Sequence, residues 1–361
     1  MQFVFTCNPA HSDLTLYEFR RAEETFVFSR WLADGVGLAE TALSAEDLAN
    51  RVRSVPVIFV RHLFAVRETF SNACTAAELF AACMPYLTKE KTVCVQIRSA
   101  DGGEAVSAAA LAGLLEQNGF ETDTANGQQI ISVFSSESGT FLGVGSALEN
   151  LTHRSGGMAH FARTEPYGFV SRAEFKLREA AECFGISLSG ISRAADLGAA
   201  PGGWTKVLAE LGIRVTAIDP SRLNPAVLRL PNVEYNQMLA EEYLKEPADG
   251  VFDLAVNDMK LDVQQSVRVM NAFHPRLSEN ALAVMTFKLP HSFSYRDIWS
   301  GIRALRGYGL IGARQLFHNR SEITVVLKRI ERPLQEERPP RGEKKKKPQT
   351  LSKKLAKKYK V

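Results

Sequence analysis

The run Asp196-Leu197-Gly198-Ala199-Ala200-Pro201-Gly202-Gly203-Trp204 joins a strand pattern, ISRAADL, to a helical one, GWTKVLAELG. Glycines at a strand–helix turn let the backbone approach a ligand closely, and the acidic Asp196 ahead of them suits a polar or cationic group. Asp219 ends the next strand pattern, VTAIDP, about 20 residues on, where a carboxylate can take the two hydroxyls of a ribose. The spacing is not GxGxxG, and Pro201 stands where a dinucleotide fingerprint keeps its flexible middle. A pyrophosphate cradle, and hence NAD or FAD, is disfavoured. S-adenosyl-L-methionine fits better, because it carries a ribose and a positively charged amino acid end but no phosphate. The cofactor candidates read from the residues are Asp196, Gly198, Pro201, Gly202, Gly203 and Asp219.

The elements that must position this turn begin near Pro166. EFKLREAAECFG reads as an amphipathic helix, followed by short apolar strands (RAADL, RVTAI, VEYN, FDLAVN, ALAVMTFK) separated by helical segments. That alternation predicts an α/β fold with a parallel, doubly wound sheet. LIGARQLFHN and SEITVVLKRI are close enough in sequence to close it as an antiparallel hairpin at one edge. Ahead of it, MQFVFTC and ETFVFSRWLA read as strands and SAEDLANRVRS as a helix capped by Ser44. A second α+β unit is expected from VPVIFVRHLFAVRETF (strand), TAAELFAACMPYL (helix), KTVCVQIRSA (strand), SAAALAGLLEQNGF (helix) and GQQIISVFSSESGTFLGVG (hairpin). The expected divisions are 1–54, 55–160, 161–331 and a basic tail, 332–361, too polar to fold alone.

The chain has 361 residues with 45% apolar and 23% charged residues, which excludes disordered, collagen-like and wholly coiled-coil classes. No apolar run reaches about 18 residues and the start lacks a basic, then long apolar, segment, so neither a membrane span nor a secretory leader is expected and the location is read as cytoplasmic. Five scattered cysteines without a CxxC pair read as reduced thiols, with no metal site. Residues 332–361 hold 12 Lys+Arg against 3 Asp+Glu, whereas residues 1–331 hold 32 against 37. An anionic partner should therefore meet the C-terminal half and the tail.

DLGAAPGGWT resembles the cofactor loop of FtsJ-like RNA ribose 2′-O-methyltransferases, and SRAEFKL, VNDM, TFKLP and RSEITVVLK follow that family's order over residues of about 160–330. The N-terminal α+β pair, SVFSSESGTFLGVGSALENLTHRSGG and HNRSEITVVLKR are similar to the bacterial large-subunit methyltransferase M family. That resemblance implies a Rossmann-like S-adenosylmethionine-dependent domain behind ferredoxin-like and THUMP-like domains. It also implies methylation of a cytidine 2′-OH in 23S rRNA. It carries over a Lys-Asp-Lys-Glu tetrad: Lys176, Asp258, Lys288 and Glu322. By resemblance Trp204 helps line the cofactor pocket. Many relatives carry an acid near the adenine, where this chain reads VEYNQM, so Gln237, Asn236 or Glu234 stands in for it.

The residue types suit the reaction. A ribose hydroxyl is a poor acid, so its attack on a methyl group calls for a proton acceptor. Lys288 is the candidate, with Lys176 as a nearby cation lowering its pKa and the carboxylates pulling the other way. RNA contacts are expected from Arg20, Arg21, Arg61, Arg67, Arg154, Arg163, Arg172, Arg178, His291, Arg296 and the tail. The protein is expected to work as a monomer on RNA, without metal or membrane. The alternatives are another rRNA site or tRNA as substrate, or a non-catalytic RNA-binding assembly factor.

Overall fold

In the N-terminal unit the alternating apolar residues of β1 (Gln2–Cys7), β2 (Val27–Ala33), β3 (Val36–Glu40) and β4 (Val60–Ala65) build one antiparallel sheet, ordered β2-β3-β1-β4. The computed structural model describes residues 1–71, 74–100, 106–124, 126–159, 169–290 and 293–331. The helices Ser12–Ala22 and Ala45–Ser54 cover one face through Leu16, Phe19, Leu48 and Val52, packed on Phe3, Phe5 and Leu63. This is the split βαβ arrangement. A division at 54/55 cuts through it: Val60–Ala65, expected in the second unit, pairs with β1, Val4 opposite Phe64. Without that strand the outer edge of β1 would be left open. The Asp34-Gly35 turn, with Gly35 at φ 71°, adds β3 as a strand beyond those expected from the sequence.

The second sheet comprises β5 (Glu68–Phe70), β6 (Val93–Ser99), β7 (Gln129–Ser136) and β8 (Gly139–Gly145), ordered β5-β8-β7-β6. β7 and β8 form the expected hairpin, and β6 runs parallel to β7. The helices Ala76–Cys83 and Ala108–Gln117 bury Leu79, Leu111 and Leu115 against it.

The third sheet has seven strands: β9 (Arg193–Leu197), β10 (Arg214–Ile218), β11 (Val233–Asn236), β12 (Phe252–Asn257), β13 (Leu277–Lys288), β14 (Tyr308–Arg314) and β15 (Glu322–Arg329). Their order is β11-β10-β9-β12-β13-β15-β14. Every pair from β11 to β13 is parallel, while β15 inserts antiparallel between β13 and β14. Continuous apolar strands such as Leu254–Val256 are buried on both faces, as a doubly covered sheet requires. From β9 the chain first builds outward through β10 and β11, then returns to the other side with β12. The β9/β12 boundary is the switch point, where open α/β sheets leave a crevice at the carboxyl ends of their strands.

Candidate active site

The four charged residues of the expected tetrad converge at that carboxyl end. Asp258 follows the last residue of β12, Lys288 ends β13, and Glu322 starts β15 directly opposite Lys288 in the antiparallel register. Lys176 arrives from the helix Ala173–Cys183. Lys176 Nζ lies 3.0 Å from Asp258 Oδ2 and 2.6 Å from Glu322 Oε1. Lys288 Nζ lies 2.5 Å from Asp258 Oδ1 and 2.6 Å from Glu322 Oε2. The result is a closed ring of alternating charge, with each carboxylate bridging both ammonium groups. Side-chain exposures of 10–24% leave it open to a reactant.

Burial opposes charge on Lys176, but Asp258 and Glu322 outweigh it and hold the ammonium above the usual lysine range. Burial likewise opposes charge on Asp258; Lys288 and then Lys176 outweigh it and hold that carboxyl below its ordinary value. Thr286, which the sequence did not single out, donates its hydroxyl to Asp258 Oδ1 at 2.7 Å. Asn257, fully buried, accepts from Met259 N–H and shapes the chain around Asp258.

The glycine turn occupies the switch point. Asp196 is 1% exposed and accepts from Thr205 Oγ1 at 2.7 Å. Burial, with Asp258 and Asp219 adding repulsion against the opposing Thr205 bonds, raises its pKa to about 7. Gly198 has φ 81°, and a Cβ there would lie 2.3 Å from Met259 Cγ, so only glycine lets the turn close on the Asp258 segment. Gly202 is the left-handed N-cap of the following helix, Gly203–Glu210, at φ 110°. Pro201 bends the turn and accepts from Asn224 N–H. Asp219 accepts from Ala200 N–H at 3.0 Å and Ser221 N–H at 2.6 Å, which fixes its carboxylate beside the turn.

Two expected cofactor residues serve packing instead. A Cβ on Gly203 would meet Ser171 Oγ at 2.3 Å, so this glycine allows its helix to touch the segment leading to Lys176. Trp204 is 2% exposed and donates its indole N–H to Ala173 O at 2.7 Å, committing the ring to the same contact. The buried pair Lys206–Glu174, 3.0 Å apart, completes this docking, and Glu174 also accepts from Val170 and Ser171 N–H. The signal for that pair is visible in SRAEFKL and GWTK, as charged residues on apolar helix faces. Gln237 is exposed and donates to Pro220 O, whereas the amide nitrogen of Asn236 is buried with no acceptor.

The loop from β14 to Glu322 is tied from two sides. Glu179, one turn beyond Lys176, accepts from Phe317 N–H (2.6 Å), His318 N–H (3.0 Å) and the His318 ring (2.7 Å). From the N-terminal unit, Ile58 O accepts from Gln315 N–H at 2.7 Å and the Arg61 guanidinium reaches the carbonyls of Gln315 and Leu316. Arg61 is therefore an internal strut and not a surface phosphate contact. Other expected RNA contacts are also engaged internally: Arg154 forks onto Glu182 with two 2.8 Å bonds, Arg178 pairs with Glu210, and Arg21 lies over Tyr17 and Tyr295. Arg67 lies over Tyr86, while Arg172 and Arg296 are exposed. Arg163, His291 and the tail 332–361 lie outside the described residues.

Among the described residues no cluster of side chains could hold a metal ion, and no helix is long and apolar enough to cross a membrane. Residues 169–294 match the FtsJ-like methyltransferase family. The chain is similar to proteins named ribosomal RNA large subunit methyltransferase M. That of Halorhodospira halophila is 38% identical over 38% of this chain and 40% of the relative. That of Marinobacter nauticus is 32% identical over 46% and 49%. That of Pseudomonas syringae pv. syringae is 30% identical over 60% and 62%. The alignments thus span 40–62% of these relatives' own length. With the family's segment enclosing the glycine turn, Lys176, Asp258 and Lys288, residues 169–294 are an FtsJ-like methyltransferase domain.

Proposed function

We propose that this protein methylates a ribose 2′-OH in 23S rRNA, that of a cytidine, using S-adenosyl-L-methionine and the ring of Lys176, Asp258, Lys288 and Glu322. The observation that carries the reading is the ring itself, placed at the switch point beside a glycine turn. The similarity to proteins named large-subunit rRNA methyltransferases supports the substrate.

The cofactor fits the residues present. The buried carboxyl of Asp196, its pKa raised to about 7, is a group that a cation would satisfy, and Asp219 lies where ribose hydroxyls can reach it. Asn236, with an amide donor that no protein group uses, suits the adenine better than Gln237. Bound there, S-adenosylmethionine supplies a methyl group already activated on a sulfonium. The residues then have two tasks, aligning the 2′ oxygen with that methyl group and taking its proton.

Lys288 takes the proton from its amine form. Lys176, held charged by Asp258 and Glu322, keeps both carboxylates occupied when Lys288 is neutral. The ring therefore does not collapse when one proton leaves. Asp258 and Glu322 fix the direction of both amines, and Thr286 fixes Asp258. The test is mass spectrometric mapping of 2′-O-methyl nucleosides in a protein-free 23S rRNA transcript incubated with cofactor and either wild-type protein or Lys288→Ala. One methylated cytidine, absent with the variant, is the expected result. Methylation only of another rRNA site or of tRNA would replace the substrate, and cofactor binding without methylation of any RNA would leave an assembly factor.

A further inference from the structure

A groove of about 400 Å³ opens between the N-terminal unit and the methyltransferase domain, well apart from the charged ring. Its walls come from the end of the helix Ala45–Ser54, the edge strand β14, the end of the helix Ala173–Cys183 and the segment around Leu148. Two guanidinium groups face each other across it, Arg53 from the first unit and Arg314 from β14; burial disfavours charge on Arg53, and Arg314 is close enough to disfavour it further.

Neither has a carboxylate partner among the described residues. Arg53 gives Nη2 to the carbonyl of Leu148, and its Nη1 is buried without an acceptor. Arg314, 8% exposed, has Cys183 Sγ at 3.2 Å, and burial raises that thiol's pKa so that it offers no charge. Glu182 is the acid lining the groove; burial opposes its charge, but Arg154 and His153 already share it and hold its pKa at about 2. Buried like charges without a counter-ion are costly, and proteins seldom leave such donors unanswered. Two forks converging on one space are the donor set that phosphate oxygens accept.

We propose that this groove binds an RNA phosphodiester, clamped between Arg53 and Arg314, and so draws the two units onto one strand. The RNA assignment rests on the function proposed above; the anion site itself does not. Apolar surface at the rim, Leu148 at 53% and Ile311 at 41% exposure, suits the sugar of a backbone better than a free inorganic ion. Cys183 stands seven residues beyond Lys176 on the same helix, roughly 10 Å at 1.5 Å per residue, so nucleotides flanking the reacting ribose reach the groove.

The test uses the full chain, a protein-free 23S rRNA transcript, and the variants Arg53→Gln, Arg314→Gln and their double, with binding measured across a salt series. The double variant should bind roughly tenfold more weakly at 0.1 M salt, and its log–log salt slope should fall by about 1.4, which is about 0.7 for each lost contact to a single strand. Affinity for S-adenosylhomocysteine and the melting temperature should not fall, because relieving two facing cations does not loosen the fold. The double Lys variant should keep the slope.

Affinity and slope equal to wild type, while wild type still binds and methylates the transcript, would overturn the groove and leave the proposed function standing. A wild type that binds no RNA would overturn both. Added inorganic phosphate that raises the melting temperature of wild type but not of the double variant, with RNA binding unchanged between them, would make this a free-anion site and overturn the RNA assignment. A fall in melting temperature and cofactor affinity together would make the arginines structural braces and likewise overturn the RNA assignment.

Discussion

Asp196 makes cofactor affinity depend on pH in a way that can be worked out in advance. Its carboxyl is 1% exposed and its pKa stands at about 7, through burial first, with Asp258 and Asp219 adding repulsion against the Thr205 hydrogen bonds. The free protein is therefore about half protonated there at neutral pH. A bound amino acid end carrying positive charge selects the carboxylate, so affinity is full above pH 7 and falls about tenfold per unit below it. Between pH 7.5 and 5.5 the dissociation constant of S-adenosylhomocysteine should rise about 20-fold, if the carboxyl in the complex titrates near 5. We predict this for wild type by isothermal titration calorimetry, with about half a proton released per binding event at pH 7, read from the dependence on buffer ionisation enthalpy. Asp196→Asn should bind more weakly at pH 7.5 and show no such slope. A wild-type constant that changes less than threefold over this range, or an equal slope in the Asn variant, would refute the assignment of Asp196 to the cationic end.

Four further outcomes follow from the same geometry. Glu179→Gln leaves one acceptor oxygen for three donors, so kcat should fall tenfold to a hundredfold through misplacement of Glu322 while cofactor affinity is kept; single-turnover methylation reads this. Gly198→Ala places a Cβ 2.3 Å from Met259 Cγ at a φ of 81°, and should cost about 1–2 kcal/mol in thermal denaturation and weaken cofactor binding. Glu18, 1% exposed between its helix and Phe59 N–H, has a pKa raised by burial to about 8, so its stabilising protonated form is fully present below its ordinary carboxyl range and lost as pH rises through 8. Glu18→Gln should therefore match wild type in acid and gain stability above pH 8, by at most about 5 kcal/mol, in paired melts at pH 5 and 9. Thr286→Val should lower the methylation rate several-fold while leaving fold and cofactor affinity unchanged, because it frees Asp258 to turn; a drop in affinity would contradict that.

The catalytic half is legible because its signals are local. Apolar strands such as FDLAVN, each ending where a charged residue or a glycine begins, show both the sheet and the end that carries the chemistry. The tetrad is legible through resemblance alone; spacing gives no sign that residues 146 apart, Lys176 and Glu322, share a salt bridge. Sequence misleads where packing gives a residue its purpose. Gly203 and Trp204 look like cofactor residues because they follow Gly198, yet their positions are set by contact with Ser171 and Ala173, which no local pattern reveals. VPVIFVRHLFAVRETF looks like one strand, but β4 and β5 belong to different sheets, since strand partners are chosen by open edges far away in sequence. The Asp34-Gly35 turn is, by contrast, a local hairpin signal, hidden only because it follows so closely on the strand-like run ETFVFSRWLA. Arg61 looks like a surface cation because sequence shows charge but not burial.

The tie between Ile58, Arg61 and the loop 315–320 gives the two ends of the chain a shared responsibility for one carboxylate. Glu322 hangs from a loop whose anchors lie partly on the helix of Lys176 and partly on a segment more than 250 residues upstream. An RNA that levers the N-terminal unit would therefore move the catalytic carboxylate as well, and engagement of substrate could be felt at the reacting atoms without any moving lid. For the engineer the lesson is practical. Residues 169–331 excised to make a smaller enzyme could retain sheet, turn and cofactor, yet would return a Glu322 with one of its two moorings cut.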